Sequence, residues 1–366
     1  MKAGTSRPPC REAFGRVEGF KVKMNTEEMY EKMKAKLSRV VPDVELRYKA
    51  EIAVEIEELK KQRNAVILGH NYMEPALFHS IPDFTGDSLD LSRKAAQTDK
   101  DVIVFCGVRF MAETAKILSP TKTVLLPSSR AGCSLAASIT AEDVRSLKKK
   151  FPGVPVVTYV NTYADVKAES DICCTSSNAI AVVESLHAET VIFLPDEYLA
   201  KNVARETGKH IIFPSTGTAD ADPGLDYQLI GWRGRCEVHE KFTVKDIETV
   251  RSQFPDVLIL AHPECSPEVT AASDFSGSTN AMIRYVQESK APHYLLLTEC
   301  AMGDNIAAAN PQKDMLRLCM VRCPHMNMIT MEDTRDALKF NRYVIDIPEE
   351  IRVKAYRAVE RMIQIG

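Results

Sequence analysis

The chain has 366 residues, 45% of them hydrophobic and 27% charged, and at about 150 residues per domain that length fits two or three globular units. Such a composition excludes a disulfide mini-scaffold and a disordered tail. Lys and Arg total 47 against 50 Asp and Glu, so the formal net charge of −3 gives no general field to hold nucleic acid or an acidic membrane, and an anionic ligand has to be held locally.

No apolar run approaches the roughly 20 residues of a bilayer span, and the N-terminus lacks the basic segment and apolar core of a secretion signal. The expected compartment is therefore the cytoplasm, where thiols stay reduced. The ten cysteines, at positions 10, 106, 133, 173, 174, 236, 265, 300, 319 and 323, then read as metal or cluster ligands, catalytic thiols or small buried hydrophobes rather than disulfides.

Residues 1–23 carry Pro8, Pro9 and several basic residues without apolar periodicity, the pattern of a loose extension. From Thr26 to about Arg63 the pattern is charged and helical, broken at Pro42. Residues 1–64 thus form an N-terminal extension with a helical segment. From Ala65 a pattern recurs three times, over residues 65–150, 151–250 and 251–345. Each copy opens with an apolar run ending in a polar residue: AVILGH to His70, PVVTYVN to Asn161 and VLILAH to His262. Such runs predict buried parallel strands that deliver a side chain at their carboxyl ends.

An Asp then precedes a hydroxyl by five positions, as Asp83 with Ser88, Asp171 with Ser176 and Asp274 with Thr279. Each hydroxyl fronts an amphipathic stretch, where a helix N-cap is expected. A second strand follows 14 or 15 residues after the hydroxyl, from Val102, Val191 and Tyr294, and each leads into another helical stretch. The first two copies share a third strand ending in Pro-Ser, at Ser128 and Ser215. Every copy then reaches a loop with a cysteine: Cys133 in RAGCS, Cys236 in WRGRCEVHE and Cys323 in VRCPHMN. A helical tail begins after Pro348 and closes residues 346–366 on the outside of the fold. The pattern predicts an α/β fold of three pseudo-threefold-related units, with parallel sheets around a central cavity.

Three helix N-termini at one place suit carboxylates or phosphate, with Ser88, Ser176 and Thr279 as added hydroxyl donors, although each hydroxyl alone also reads as a plain cap. Three thiolates are one fewer than a closed structural site uses, which leaves an open coordination position and a Lewis acid. Without a C-x-x-C pair, zinc and iron–sulfur both remain open. Acid–base candidates lie at the same strand ends: His70 and Tyr72 in GHNYMEP, Tyr159 and Asn161 in TYVNTY, and His262 with Glu264 in AHPEC as a base and its orienter. His239, three residues past Cys236, belongs beside the metal or the substrate. His79, His187, His210, His293 and His325 read as structural. Adjacent Cys173 and Cys174 diverge and make a poor joint chelate, and Cys319 is a spare thiol or core.

The stretches GHNY, PDFTGDSLDLS, FMAETAKIL, AGCS, TYVNTYADVKAESDICCTSSNA, Trp232 to Phe242, HPEC, DFSGSTN and CPHMNM together resemble the quinolinate synthase family across roughly residues 65–345. The resemblance implies three stacked α/β domains and one [4Fe–4S] cluster held by Cys133, Cys236 and Cys323, with its fourth iron open. It implies condensation of iminoaspartate with dihydroxyacetone phosphate to quinolinate, releasing phosphate and two waters, in de novo NAD biosynthesis. Tyr72 matches the acid–base tyrosine and His262 with Glu264 the proton-transfer pair. His70, Ser88, Tyr159, Asn161, Ser176, His239, Ser278 and Thr279 match substrate-binding positions. An L-aspartate oxidase or aspartate dehydrogenase is the implied source of iminoaspartate.

Departures from the family pattern are the three-residue gap between Cys319 and Cys323, which argues against a redox disulfide there, and a long stretch between Ile212 and Ile230. Competing readings are a zinc-dependent lyase or aldolase on the same residues, a non-catalytic dicarboxylate-binding protein, and a cluster-based electron carrier.

Overall fold

Short apolar runs with no polar face can only lie inside a sheet covered on both sides, and the computed structural model, which describes residues 25–214, 227–318 and 321–366, places them so. The first sheet holds β1 (Ala65–His70), β2 (Phe84–Gly86), β3 (Val102–Cys106) and β4 (Thr123–Leu125) in the order β2-β1-β3-β4. The second holds β5 (Val156–Tyr159), β6 (Ile172–Cys174), β7 (Val191–Leu194), β8 (Ile211–Ile212) and β9 (Leu229–Gly231) in the order β6-β5-β7-β9-β8. The third holds β10 (Leu258–Ala261), β11 (Phe275–Ser276), β12 (His293–Leu297) and β13 (Asp314–Leu316) in the order β11-β10-β12-β13. Every pairing between these strands is parallel, so all strands of a sheet deliver their carboxyl ends to one edge.

The repeated aspartates lock this arrangement. Asp83, Asp171 and Asp274 each accept a 2.8 Å bond from a strand N–H, at Ile67, Val156 and Ile259 respectively. Each returns its own N–H to the carbonyl of the same strand residue, at 2.9, 3.0 and 2.8 Å. The short edge strand that follows is thereby held in register, and these aspartates are scaffold rather than site.

Two expectations are corrected. The hydroxyls at Ser88, Ser176 and Thr279 are not the helix caps. Asp87 caps the helix Ser88–Gln97 through the N–H groups of Leu89 and Asp90, and Ser278 caps Thr279–Glu288 through Ala281. Ser176 precedes Asn178, after which the helix Ala179–Ser185 begins. Asp and Ser serve as caps at least as well as the residues that follow them, so in the first and third segments the true caps take the backbone donors and leave the hydroxyls of Ser88 and Thr279 available, while in the second the N-cap Asn178 makes no side-chain cap bond.

The IIFPS run is not the counterpart of TVLLPS either. Beside β7, the place that β4 takes beside β3 belongs to β9, and β8 is pushed to the edge. Burial decides it, because Leu229, Ile230 and Gly231 are buried whereas Ile211 and Ile212 are half-buried. Ser215 and most of the long stretch after Ile212 lie outside the described residues, as do Cys319 and residues 1–24.

Pro42 separates two helices as expected, Thr26–Leu37 and Asp43–Gln62. Lys49 on the second makes 3.1 Å ion pairs with Glu74 and Glu332, joining the first and third segments. The terminal helix Glu349–Ile363 buries Ala355, Ala358, Val359 and Met362. Its end carbonyls accept from Arg93 (to Ile363, 3.0 Å) and Asn178 (to Met362, 3.1 Å), so the tail fastens the first segment to the second. No helix among the described residues is long and apolar enough to cross a membrane.

Candidate active site

The three cysteine loops share one local design. Backbone N–H groups two and three residues ahead point at each thiol: Leu135 and Ala136 at Cys133, Val238 and His239 at Cys236, His325 and Met326 at Cys323. A short 3₁₀ turn follows each, at Ala136–Ser138, His239–Lys241 and Met326–Met328. A threonine seven residues past the cysteine then caps the next helix, as Thr140, Thr243 and Thr330, by accepting from the N–H of Asp143, Asp246 and Asp333. The written signature is C-x6-T-x-x-D, and none of the other seven cysteines carries it. Sequence reasoning found the loops through repeat register and missed this stronger signal.

Burial pushes the Cys133 thiol up to about 12 and the Cys323 thiol up to about 11, with Cys236 also well above its ordinary value, while the facing N–H groups oppose the shift. Cys173 and Cys174 are plain core residues of β6.

Cys133, Cys236 and Cys323 line one pocket with about 710 Å³ of space between protein atoms, counting its mouth. The same pocket is lined by His70, Tyr72, Ser88, Tyr159, Asn161, Ser176, His239, His262, Glu264 and Thr279. Ser278 is the exception among the expected residues, since its hydroxyl caps a helix and it borders the adjoining groove instead.

His70 and His262 end their strands in the same way. The N–H of Tyr72 donates to His70 Nδ1 at 3.2 Å, and the N–H of Glu264 donates to His262 Nδ1 at 3.3 Å. A ring whose Nδ1 accepts carries its proton on Nε2, and burial holds both histidines down at about 3, so each is a neutral donor.

The expected pairing of His262 with Glu264 takes another form. Their closest side-chain approach is 3.8 Å, and Glu264 is bonded instead by His239 Nδ1 (2.9 Å) and the Tyr159 hydroxyl (2.5 Å), with Asn161 Nδ2 at 3.4 Å. His262 stacks on His239 with centroids 4.6 Å apart. Burial works to raise the Glu264 carboxyl, but the His239 ring and the Tyr159 hydroxyl outweigh it and hold the group below the usual carboxylate range. Burial and the Glu264 charge raise both Tyr72 and Tyr159, which stay protonated.

Several residues in and beside the pocket were missed. Asn71, within GHNY and just outside the pocket, donates to Thr279 Oγ1 and Asn280 Oδ1 at 2.8 Å each, and Ser177 donates to Asp87 at 2.7 Å, so polar bridges join the segments around the site. His325, expected to be structural, borders the pocket and pairs with Glu237 at 3.2 Å. Glu299 also borders it, and burial pushes its carboxyl up to about 7 against the N–H groups of Ala301 and Cys323.

The family model described as "Quinolinate synthetase A protein" matches residues 54–364. The chain belongs to the quinolinate synthase family. It is 53% identical over 330 residues to "Quinolinate synthase 2" of Mesorhizobium japonicum, covering 90% of this chain and 96% of that one. To "Quinolinate synthase" of Agrobacterium fabrum it is also 53% identical over 330 residues, covering 90% of each chain. The corresponding protein of Xylella fastidiosa is 53% identical over 310 residues, 85% of this chain and 86% of that one. The span matched by the quinolinate synthase model takes in all three cysteine loops, the strand ends and the helix N-termini of the pocket, and excludes the helix Thr26–Leu37.

Proposed function

We propose that the chain is a quinolinate synthase that condenses iminoaspartate with dihydroxyacetone phosphate, releasing phosphate and two waters, and that Cys133, Cys236 and Cys323 hold a [4Fe–4S] cluster. The observation that carries this reading is the threefold thiol design: three buried sulfurs, each met by two backbone N–H groups, line the pocket that also holds Tyr72, His262 and Glu264. Donors aimed at sulfur suit cluster thiolates, whose charge they offset, so the residues fit the group. Matching strand order and matching loops support three units related by a pseudo-threefold axis around a central cavity. When bound, a cluster with three protein ligands supplies one open iron as a Lewis acid for dehydration.

The chain's own residues supply the rest. Ser88, Ser176 and Thr279, free of capping duty, are hydroxyl donors for the substrates' carboxylates and phosphate at the helix N-termini. His70 and His262 present Nε2–H donors to carbonyl or carboxylate oxygens. Tyr72 and Glu264 are the proton donor and acceptor, with Glu264 oriented by His239, Tyr159 and Asn161. Iminoaspartate comes from an L-aspartate oxidase or aspartate dehydrogenase, and the enzyme works in the reducing cytoplasm, where its thiols are free to bind metal.

A zinc enzyme is the second reading, because ligand atoms of Cys236, His239 and Glu264 lie within 4.8 Å of one another. The hydrogen bonds among these three account for that closeness without an ion. Anaerobic protein reconstituted with iron and sulfide is to be assayed for quinolinate from the two substrates. Formation only by the iron-loaded protein is expected, and equal formation by the zinc-loaded protein would overturn the cluster assignment.

A further inference from the structure

Thr298 stands directly after β12 and is 3% exposed. The same position, one residue before the N-cap of the following helix, is Gly107 in the first segment and Pro195 in the second. A hydroxyl there is thus not demanded by the repeated scaffold. Its Oγ1 lies 2.6 Å from the Tyr72 hydroxyl and 3.0 Å from His239 Nε2, so one atom of the third segment joins a side chain of the first to one of the second.

Glu264 is ionised and can only accept, so in the 2.9 Å contact the N–H of His239 Nδ1 is the donor. The Thr298 hydroxyl can both donate and accept, so it can bond Tyr72 and His239 at once. The hydrogen-bond chain runs from Tyr72 through Thr298 to His239, and from His239 Nδ1–H to Glu264.

We propose that Thr298 is a positioning residue of the reaction, whose hydroxyl holds the Tyr72 phenol and the His239 ring in one hydrogen-bond chain. Bonded to Thr298, the Tyr72 oxygen is held at one orientation toward the pocket, and the His239 ring is held where its Nδ1 reaches Glu264. The proposal rests on reading the pocket as the quinolinate-forming site.

Thr298→Val keeps the shape and removes the hydroxyl, while Thr298→Ser keeps the hydroxyl and removes a methyl. Steady-state quinolinate formation by the cluster-loaded proteins is the test, with iron content and melting temperature followed in parallel. Loss of orientation by about an ångström costs on the order of 10²-fold, so Thr298→Val should lower kcat by about 10- to 100-fold with KM for dihydroxyacetone phosphate within about threefold, and Thr298→Ser should recover most of the rate. Thr298→Ala carries the same comparison should the valine variant misfold. Wild-type kcat in Thr298→Val, or a serine variant as slow as the valine one, overturns the proposal while leaving the site reading intact. A cluster-loaded wild type that forms no quinolinate overturns the site reading, and this proposal with it.

Discussion

At the scale of single residues, environment rather than residue type divides the labour. Two histidines at equivalent strand ends, His70 and His262, are both buried and both accept a backbone N–H at Nδ1. Replacing His262 with Gln should leave iron content unchanged and lower turnover by about 10²- to 10⁴-fold, the range for a lost proton-transfer or donor group. Unchanged turnover would remove His262 from the mechanism. Burial depresses both histidines to about 3 from an ordinary value near 6.5, so the unfolded chain binds more protons than the folded one between those pH values. Stability is then fully present above about pH 6.5 and is lost as pH falls, by about 2 kcal/mol per histidine at pH 5. Urea unfolding at pH 7 and pH 5 reads this, and a flat profile would contradict the neutral assignment.

At the scale of elements, legibility followed the length of chain that carries a signal. Buried strands such as AVILGH declared themselves, because five apolar or small residues in a row have no other place. The aspartates were legible as a repeat but not as strand locks, since only the fold shows Asp171 returning to Val156. Asp171→Ala should destabilise by about 1–3 kcal/mol, the range for an orphaned buried donor, read as a shifted urea midpoint with quinolinate formation kept. No shift would show that the edge strand holds itself. The swap of β8 and β9 escaped the sequence because both are short apolar runs, and only their unequal burial tells them apart. Nor could periodicity choose between neighbouring polar residues at a helix start, which is why Asp87 and Ser278 displaced Ser88 and Thr279 as caps. The cysteine loops carried a legible C-x6-T-x-x-D pattern. Thr243→Ala should lower stability by about 1 kcal/mol through the lost cap, seen as a lower melting temperature.

At the scale of the whole molecule, the site exists only where the three segments meet. Cys133 and Tyr72 come from the first, Cys236, Tyr159 and His239 from the second, Cys323, His262 and Glu264 from the third. Bridges such as Asn71 to Thr279 and Ser177 to Asp87 hold the segments against one another, and no single-segment reading of the sequence shows them. Which residues lie at strand ends was readable from the chain; that Glu264 pairs with His239 rather than His262 was not, because that contact joins segments.

The central claim is that three thiols, one from each segment, hold a cluster with an open iron. Its most direct test is iron and sulfide content with visible spectra of anaerobically purified wild type, Cys236→Ala and Cys174→Ala, before and after adding a quinolinate-like dicarboxylate. The account predicts about four irons and four sulfides per chain, with a ligand-perturbed spectrum, in wild type and Cys174→Ala, and loss of both iron and sulfide in Cys236→Ala. Zinc in place of iron, or equal loss in the two variants, would contradict it.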